Sequence, residues 1–384
     1  MRAPAVITLE QMTDSTTDLH FMRLALREAR KGLGRTSPNP CVGAVVVKDD
    51  SVISRGYHQK AGTPHAEIHA LRKAGTQAKG ATIYVTLEPC SHTGRTPPCC
   101  QAVAAAGIKR VVVGMEDPNP LVRGSGNAYL QQQGIEVVSG VLEADCRELN
   151  LPFIKHITSG MPFVVMKAGM SLDGKISYQQ GQPGWMTGES SSKKVHGLRN
   201  SLDAILVGRT TIAVDNPSLT TRLPGRRGRD PVRVLLDSHL QLSLTSKILH
   251  LDSPAPTILF CSHSVDEEKK RVLTAMENVL IRSVDCDEDG GLDLVAVLAD
   301  LGKMGICSLL VEGGATVHGS FLRKGLVDRV FLFMAPLFAG SRGTPLVSGL
   351  PIADRSEALT LRNVHYRRCG NDILVQGDLF QPFL

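Results

Sequence analysis

Short runs of β-branched and aliphatic residues recur through this chain, separated by segments with helical spacing. VGAVVVK at 42–48, TIYVTLEP at 82–89 and RVVVGMED at 110–117 are apolar almost throughout, as expected of strands buried on both faces. SVISRGYH at 51–58 returns from an Asp49-Asp50 turn as a hairpin partner. Between the strands, HAEIHALRKAG at 65–75 reads as a helix ending at Gly75, TPPCCQAVAAAG at 96–107 as a helix entered through prolines, and GNAYLQQQG at 126–134 as a third. Ahead of them, Phe21, Leu24, Ala25 and Ala29 share one face of a helix predicted over 18–31. Adjacent parallel strands need crossovers, so this alternation predicts a three-layer α/β domain with a largely parallel sheet.

Pro and Gly interrupt the pattern in NLPFIKHITSGMPF at 150–163, and a new strand, PFVVMKAGMS, starts at 162. A chain of 384 residues suits two domains. The expected division is a leader over 1–16, one domain over 17–160 and a second over 161–384. The second half alternates as well. It offers strands at 203–208, 232–237, 257–261, 307–312 and 328–334, and helices at 292–303 and 316–324. No GxGxxG follows its first strand, so a standard dinucleotide-binding unit is not indicated.

Composition removes several classes of function. Aromatic residues make up 4% of the chain, too few for base-stacking platforms. A net charge of +6 is spread along the sequence, which argues against a general nucleic-acid binder. RLPGRRGRD at 222–230 concentrates four arginines in nine residues, and reads either as a solvated surface loop or as part of a phosphate site. No apolar run reaches the roughly twenty residues of a membrane helix, and the N-terminal residues do not form a secretory signal. Nine cysteines in no regular framework fit reduced thiols in a cytoplasmic protein.

Three of those cysteines and histidines form a chemical pattern. His65-Ala66-Glu67, then Pro89-Cys90, then Cys99 match the His-x-Glu and Pro-Cys elements of zinc deaminases. One imidazole and two thiolates leave the fourth zinc position open, which is a catalytic arrangement. Glu67 is not needed as a ligand and stands where a proton shuttle belongs. A closed structural site would recruit His69 and Cys100 instead. The eight residues between Cys90 and Cys99, SHTGRTPP, are more than the usual two. Cys41, Cys146, Cys261, Cys286, Cys307 and Cys369 read as structural.

SPNPCVGAVVVKDD, HAEIHALRKAG, YVTLEPCSHTGRTPPCC and MEDPNPLVRGSG, together with KAGMSLDGKI, WMTG, VGRTTIAVDNPSLTTR, VRVLLDS and VEGGATVHGSFL, run in order through both halves. In this the chain resembles the bifunctional riboflavin-biosynthesis deaminase–reductases. The resemblance implies an N-terminal cytidine-deaminase-like three-layer α/β/α domain and a C-terminal dihydrofolate-reductase-like α/β domain. The first would remove an amino group from a diaminopyrimidinone ribosyl phosphate with one zinc ion. The second would reduce the ribosyl group to a ribityl chain with NADPH. Carried over by position, the pyrimidine and phosphate contacts are Asn39, His58, Arg95, Asp117 and Asn119. Arg95 would explain the long insert, since its guanidinium could hold the phosphate beside the metal.

In the second half the resemblance places cofactor contacts at Gly169, Trp185, Thr211, Asp215, Ser238, Gly314, Ala315, Thr316, Val317, His318, Gly319 and Ser320. Substrate contacts fall on Lys167, Pro183, Arg199, Leu219, Arg222 and Glu312. Read physically, VEGGATVHGS is a strand, two glycines and a helix start, a turn that can cradle phosphate but that also occurs for steric reasons alone. A homo-oligomer formed through the reductase domain is a further implication; nucleic-acid and membrane partners are not. Two departures stand out. Ser37 precedes PNP where the family often has His or Thr, and VRGSG at 122–126 replaces a family VAGRG. The expectation is a retained loop with altered contacts.

Overall fold

The β-branched runs become the strands of two sheets in a computed structural model that describes residues 9–91, 97–119, 122–225 and 228–379, with side chains from residue 16. The chain divides into two compact units, Met1–Ser159 and Gly160–Leu384.

The first unit contains α1 (Leu9–Ala29), β1 (Gly43–Lys48), β2 (Ser51–Tyr57), α2 (Ala66–Ala74), β3 (Thr82–Leu87), α3 (Cys99–Ala105), β4 (Arg110–Met115), α4 (Ser125–Gln132), β5 (Glu136–Ser139) and α5 (Glu143–Ser159). Its sheet runs β2-β1-β3-β4-β5. The β1–β2 and β1–β3 pairs are antiparallel, and β3, β4 and β5 are parallel. Helices cover both faces. A side chain at Gly43 would collide with the α1 backbone at Ala25 and Ala29, and one at Gly56 with α2 at Ala66 and Ala70. Gly56 is the partner of Ala44 across the hairpin, whereas Gly43 is the partner of Tyr57. The two glycines therefore face opposite sides of the sheet, and so do the helices they admit.

Two expectations need correction here. Residues 9–16, expected as a loose leader, belong to α1; Leu9, Glu10, Gln11 and Met12 are all good helix formers. The Pro- and Gly-punctuated stretch from 150 is not irregular either. Helix α5 continues through Pro152 to Ser159, held in part by burial of Leu151 and Ile154.

The second unit contains β6 (Phe163–Met170), α6 (Glu189–Ser201), β7 (Ala204–Gly208), α7 (Arg209–Asp215), β8 (Val232–Leu236), β9 (Thr257–Cys261), α8 (Glu267–Thr274), β10 (Val279–Ser283), α9 (Leu294–Lys303), β11 (Ser308–Val311), α10 (Ala315–Arg323), β12 (Arg329–Met334), β13 (Arg362–Cys369) and β14 (Asp372–Asp378). Its sheet runs β10-β9-β8-β7-β11-β6-β12-β14-β13. It is parallel from β10 to β12, then antiparallel through β14 and β13. After β7 the chain moves toward β8; after neighbouring β11 it moves the other way, toward β12. Such a reversal opens a crevice at the carboxyl ends of two adjacent parallel strands, where open α/β sheets bind ligands.

Helix α1 is tied to the first sheet by a buried charge. Asp18 accepts two hydrogen bonds from Arg110, at 2.7 and 2.8 Å, and one from the Tyr84 hydroxyl at 2.9 Å. Asp18→Ala should cost about 1–3 kcal/mol, because the buried Tyr84 hydroxyl loses its acceptor and Arg110 keeps only its 2.8 Å bond to Glu136. Urea unfolding monitored on the first unit measures this; an effect under about 0.5 kcal/mol would show that the pair carries no net stability.

Candidate active sites

In the first unit, three elements deliver the zinc-type donors. His65 is the N-cap residue of α2, Cys90 follows the end of β3 and Cys99 opens α3. The Cys99 and Cys90 sulfurs lie 3.3 and 3.6 Å from His65 Nδ1, and all three donor atoms are within 4.8 Å of one another. Ligands at zinc-bond lengths in a tetrahedron stand about 3.5 Å apart, so the group fits a zinc ion. His69 and Cys100 are not in the cluster among the described residues; Cys100 belongs to the apolar core. The closed four-ligand alternative therefore loses its donors.

Glu67 lies in the first turn of α2, 3% exposed, and its Oε2 has no hydrogen-bond partner. Burial pushes its carboxyl up to about 7. Hydrogen bonds from Cys99 and His65 draw the Cys90 thiol down, toward the thiolate form that a metal requires, while the bond to Cys90 and burial push the Cys99 thiol up.

A cavity of about 580 Å³ opens beside this cluster and is lined by Asn39, His58, Glu67, Glu88, Asp117 and Asn119, among others. His58 Nδ1 meets the Pro64 carbonyl at 3.2 Å, which makes Nδ1 the donor and Nε2 the acceptor for Asn39 Nδ2 at 3.1 Å. Burial lowers its pKa and keeps the ring neutral. Asn39 is thereby oriented, with Oδ1 left to accept. Asp117 Oδ1 accepts from the Asn119 backbone at 2.9 Å and shapes that turn. Arg95 lies outside the described residues. Pro38, Asn39 and Pro40 line the cavity, but Ser37 is not among the lining residues.

Sequence reasoning missed Glu88. This carboxylate is 4% exposed and accepts four backbone N–H bonds. Oε2 takes those of Asp117 and Gly124, at 3.1 and 2.9 Å, and Oε1 those of Gly126 and Asn127, at 2.9 and 3.2 Å. Gly126 lies against the Pro89 carbonyl, with no room for a side chain. One residue before the Pro-Cys pair, Glu88 thus ties the loop carrying Asp117 and Asn119 to the strand end that presents Cys90. The signal available was its place in LEPC; the four partners come from a segment about thirty residues later and could not be read locally.

In the second unit a cavity of about 690 Å³ gathers Lys167, Gly169, Pro183, Trp185, Thr211, Asp215, Leu219, Arg199, Arg222, Glu312, Gly314 and His318. Gly314 caps α10, and a side chain there would come within 3.6 Å of Thr211 Oγ1. The helix starts after β7 and β11 therefore meet at the crevice between those strands. Glu312 holds Arg199 by two hydrogen bonds, 2.9 and 2.8 Å, with Lys167 Nζ at 3.6 Å. Burial raises the Glu312 carboxyl, but Arg199 and Lys167 outweigh it and hold the group down at about 2. His318 Nδ1 meets the Leu346 carbonyl at 3.2 Å, and burial lowers its pKa to about 4.

The remaining expected contacts do not line this cavity. Ser238 follows β8; Ala315, Thr316, Val317, Gly319 and Ser320 form α10, with Gly319 against the Ser348 backbone. Sequence reasoning also passed over Lys247 and His196, which do line it.

Glu88→Gln puts an amide donor against two backbone donors, so the loop should loosen. The expected result is about a tenfold or greater rise in KM for the substrate of the first unit, with the activity of the second unit unchanged as an internal control. An unaltered KM would remove Glu88 from the recognition machinery.

Two family models match this chain: the cytidine and deoxycytidylate deaminase zinc-binding region over residues 15–115, and the RibD C-terminal domain over residues 162–375. The riboflavin biosynthesis protein RibD of Bacillus amyloliquefaciens is 42% identical over 355 residues, covering 92% of this chain and 94% of its own. RibD of Escherichia coli K12 is 39% identical, covering 93% and 98%. Among solved structures, Acinetobacter baumannii RibD aligns with a TM-score of 0.85 at 36% identity, covering 95% of this chain and 99% of its own. A Thermotoga maritima diaminohydroxyphosphoribosylaminopyrimidine deaminase/5-amino-6-(5-phosphoribosylamino)uracil reductase gives 0.85 at 38% identity with the same coverage. By full-length similarity and by both domain matches, the chain belongs to the RibD family of riboflavin biosynthesis proteins.

Proposed function

We propose that this chain catalyses two consecutive steps of riboflavin biosynthesis: zinc-dependent deamination of a diaminopyrimidinone ribosyl phosphate, then NADPH-dependent reduction of its ribosyl group to a ribityl chain. The single observation that carries the first step is the cluster of His65 Nδ1 and the Cys90 and Cys99 sulfurs beside the unpartnered, buried Glu67 Oε2. His65, Cys90 and Cys99 would hold the zinc, which as a Lewis acid makes water acidic enough to attack near neutral pH. Glu67 Oε2 takes the proton from the attacking water and returns it to the departing amine. Asn39, fixed by His58, and the Asp117–Asn119 turn orient the pyrimidine. Arg95 is retained as the phosphate ligand on the resemblance alone.

For the second step, bound NADPH would supply the hydride for the ribosyl C1′, and a proton would complete the opened ring oxygen. Residues of the second cavity aim the two reactants. Lys167 and Arg199 are held by Glu312, and Arg222 lines the same cavity as a phosphate clamp, with Leu219 and Pro183 as further substrate contacts. Gly169, Trp185, Thr211 and Asp215 lie on the cofactor side. Gly314 and the N-terminus of α10 favour a pyrophosphate. Ala315, Thr316, Val317, His318, Gly319 and Ser320 serve the cofactor through that helix, and Ser238 contacts it from the turn after β8. A homo-oligomer formed through the reductase unit completes the reading; light scattering on the purified protein measures it. No helix among the described residues is long and apolar enough to cross a membrane.

Incubation with the pyrimidine nucleotide tests the whole reading. Without NADPH the product should carry one amino group replaced by oxygen; with NADPH it should gain two further hydrogens. Glu67→Gln should retain zinc and lose deamination by about a hundredfold or more, while still reducing the deaminated intermediate when that is supplied. Cys99→Ser should lose the metal, as metal content reports directly. Joint loss of both activities in a folded Glu67→Gln protein would contradict independent sites.

A further inference from the structure

His196 has a hydrogen-bonding problem that its own surroundings do not solve. It lies on α6, one turn before Arg199, and is 7% exposed. Its Nδ1 is 3.2 Å from the Arg222 backbone nitrogen, and its Nε2 is 3.4 Å from Arg222 Nε. Both Arg222 groups are donors only. A neutral imidazole has one lone pair and one N–H. Whichever tautomer forms, one ring N–H faces an Arg222 N–H. The shorter contact assigns the lone pair to Nδ1, so the mismatch falls on Nε2 and the Arg222 guanidinium. Burial, then the nearby Arg199 and Arg222 charges, lower the ring's pKa, while Glu312 pulls it up less strongly. The doubly protonated ring would only add a second clash.

The charges around this pair are also unbalanced. Lys167, Arg199, Arg222 and Lys247 line the cavity against the carboxylates of Glu312 and Asp215. Arg199 and Lys167 are taken up by Glu312, whereas Arg222 has no carboxylate partner among the described residues. An anionic oxygen accepting from both Nε2–H of His196 and Nε–H of Arg222 resolves the mismatch and the charge together.

We propose that His196 and Arg222 form a two-donor site for an oxygen of the substrate's phosphate monoester, which makes His196 a specificity-determining residue of the reductase step. This rests on the reductase reading given above for the same cavity. The shared chemistry is a phosphate oxygen, and NADPH is the other possible source of one.

Binding of ribose 5-phosphate and of ribose is measured by calorimetry with NADPH present, alongside NADPH affinity itself. The wild type should bind ribose 5-phosphate more tightly than ribose. His196→Phe, which keeps the ring shape, should weaken ribose 5-phosphate binding about tenfold or more without changing ribose or NADPH binding. His196→Gln, which retains an amide donor near the Nε2 position, should recover most of the loss. If the Phe variant does not fold, His196→Asn, whose shorter amide supplies no donor at the Nε2 position, should show the same phosphate-specific loss. Equal loss for ribose and its phosphate, or loss of NADPH affinity instead, overturns the proposal. If the phosphate-specific loss appears but no ribosyl pyrimidine is reduced, the contact stands and the proposed reaction falls.

Discussion

Parallel pairing of adjacent strands is the constraint on which both units depend. A parallel neighbour can be reached only by a crossover, so every strand in such a sheet ends at the same edge and feeds a loop or helix start there. In the first unit, the carboxyl ends of β3 and β4 lie side by side. One leads to Cys90 and the other to Asp117 and Asn119. In the second, β7 and β11 end together, leading to Thr211 and to Glu312 and Gly314. Residues distant in sequence are thus brought to one rim without any direct pairing between them.

What then fixes each rim differs. The first is pinned by an acceptor: the Glu88 carboxylate gathers four backbone donors, two from the irregular loop after β4 and two from the first turn of α4. The second is organised by opposed charges, with Glu312 holding Arg199 and Lys167 in place. A buried carboxylate is costly without such partners. Both are satisfied, one by backbone dipoles and the other by cations. The first arrangement sets the position of neutral and polar groups; the second leaves an excess of positive charge facing the cavity, which suits anionic ligands.

Much of this was legible in the sequence, and the reason is local. The buried strands announce themselves by continuous β-branched runs, and the metal donors by residue type and spacing. The cytidine-deaminase-like unit followed by a reductase unit agrees with the family matches. What escaped depended on partners far along the chain. Helix α5 passes through Pro152 because its apolar residues are buried, which punctuation alone conceals. The β13–β14 hairpin was overlooked although Gly370-Asn371 separates its paired ends, Cys369 and Asp372. Its strand β13 is exposed and mixed in polarity, so it lacks the apolar signature. Glu88 and His196 were missed for a related reason: neither belongs to a motif that declares its hydrogen-bond partners.

The VRGSG departure shows how geometry sorts the residues of such a loop. Arg123 points to the surface, where it pairs with Glu116 at 2.9 Å with both side chains largely exposed. An exposed pair of this kind contributes little, so an arginine can move along this segment at small cost. The glycines cannot. Gly124 adopts φ of +76°, which side chains disfavour, and it donates its N–H to Glu88. Gly126 touches the Pro89 carbonyl and donates to the same carboxylate. The expectation of a retained loop with altered contacts therefore has a physical basis: the carboxylate of Glu88 dictates where the backbone must pass, and leaves the intervening side chains free to vary.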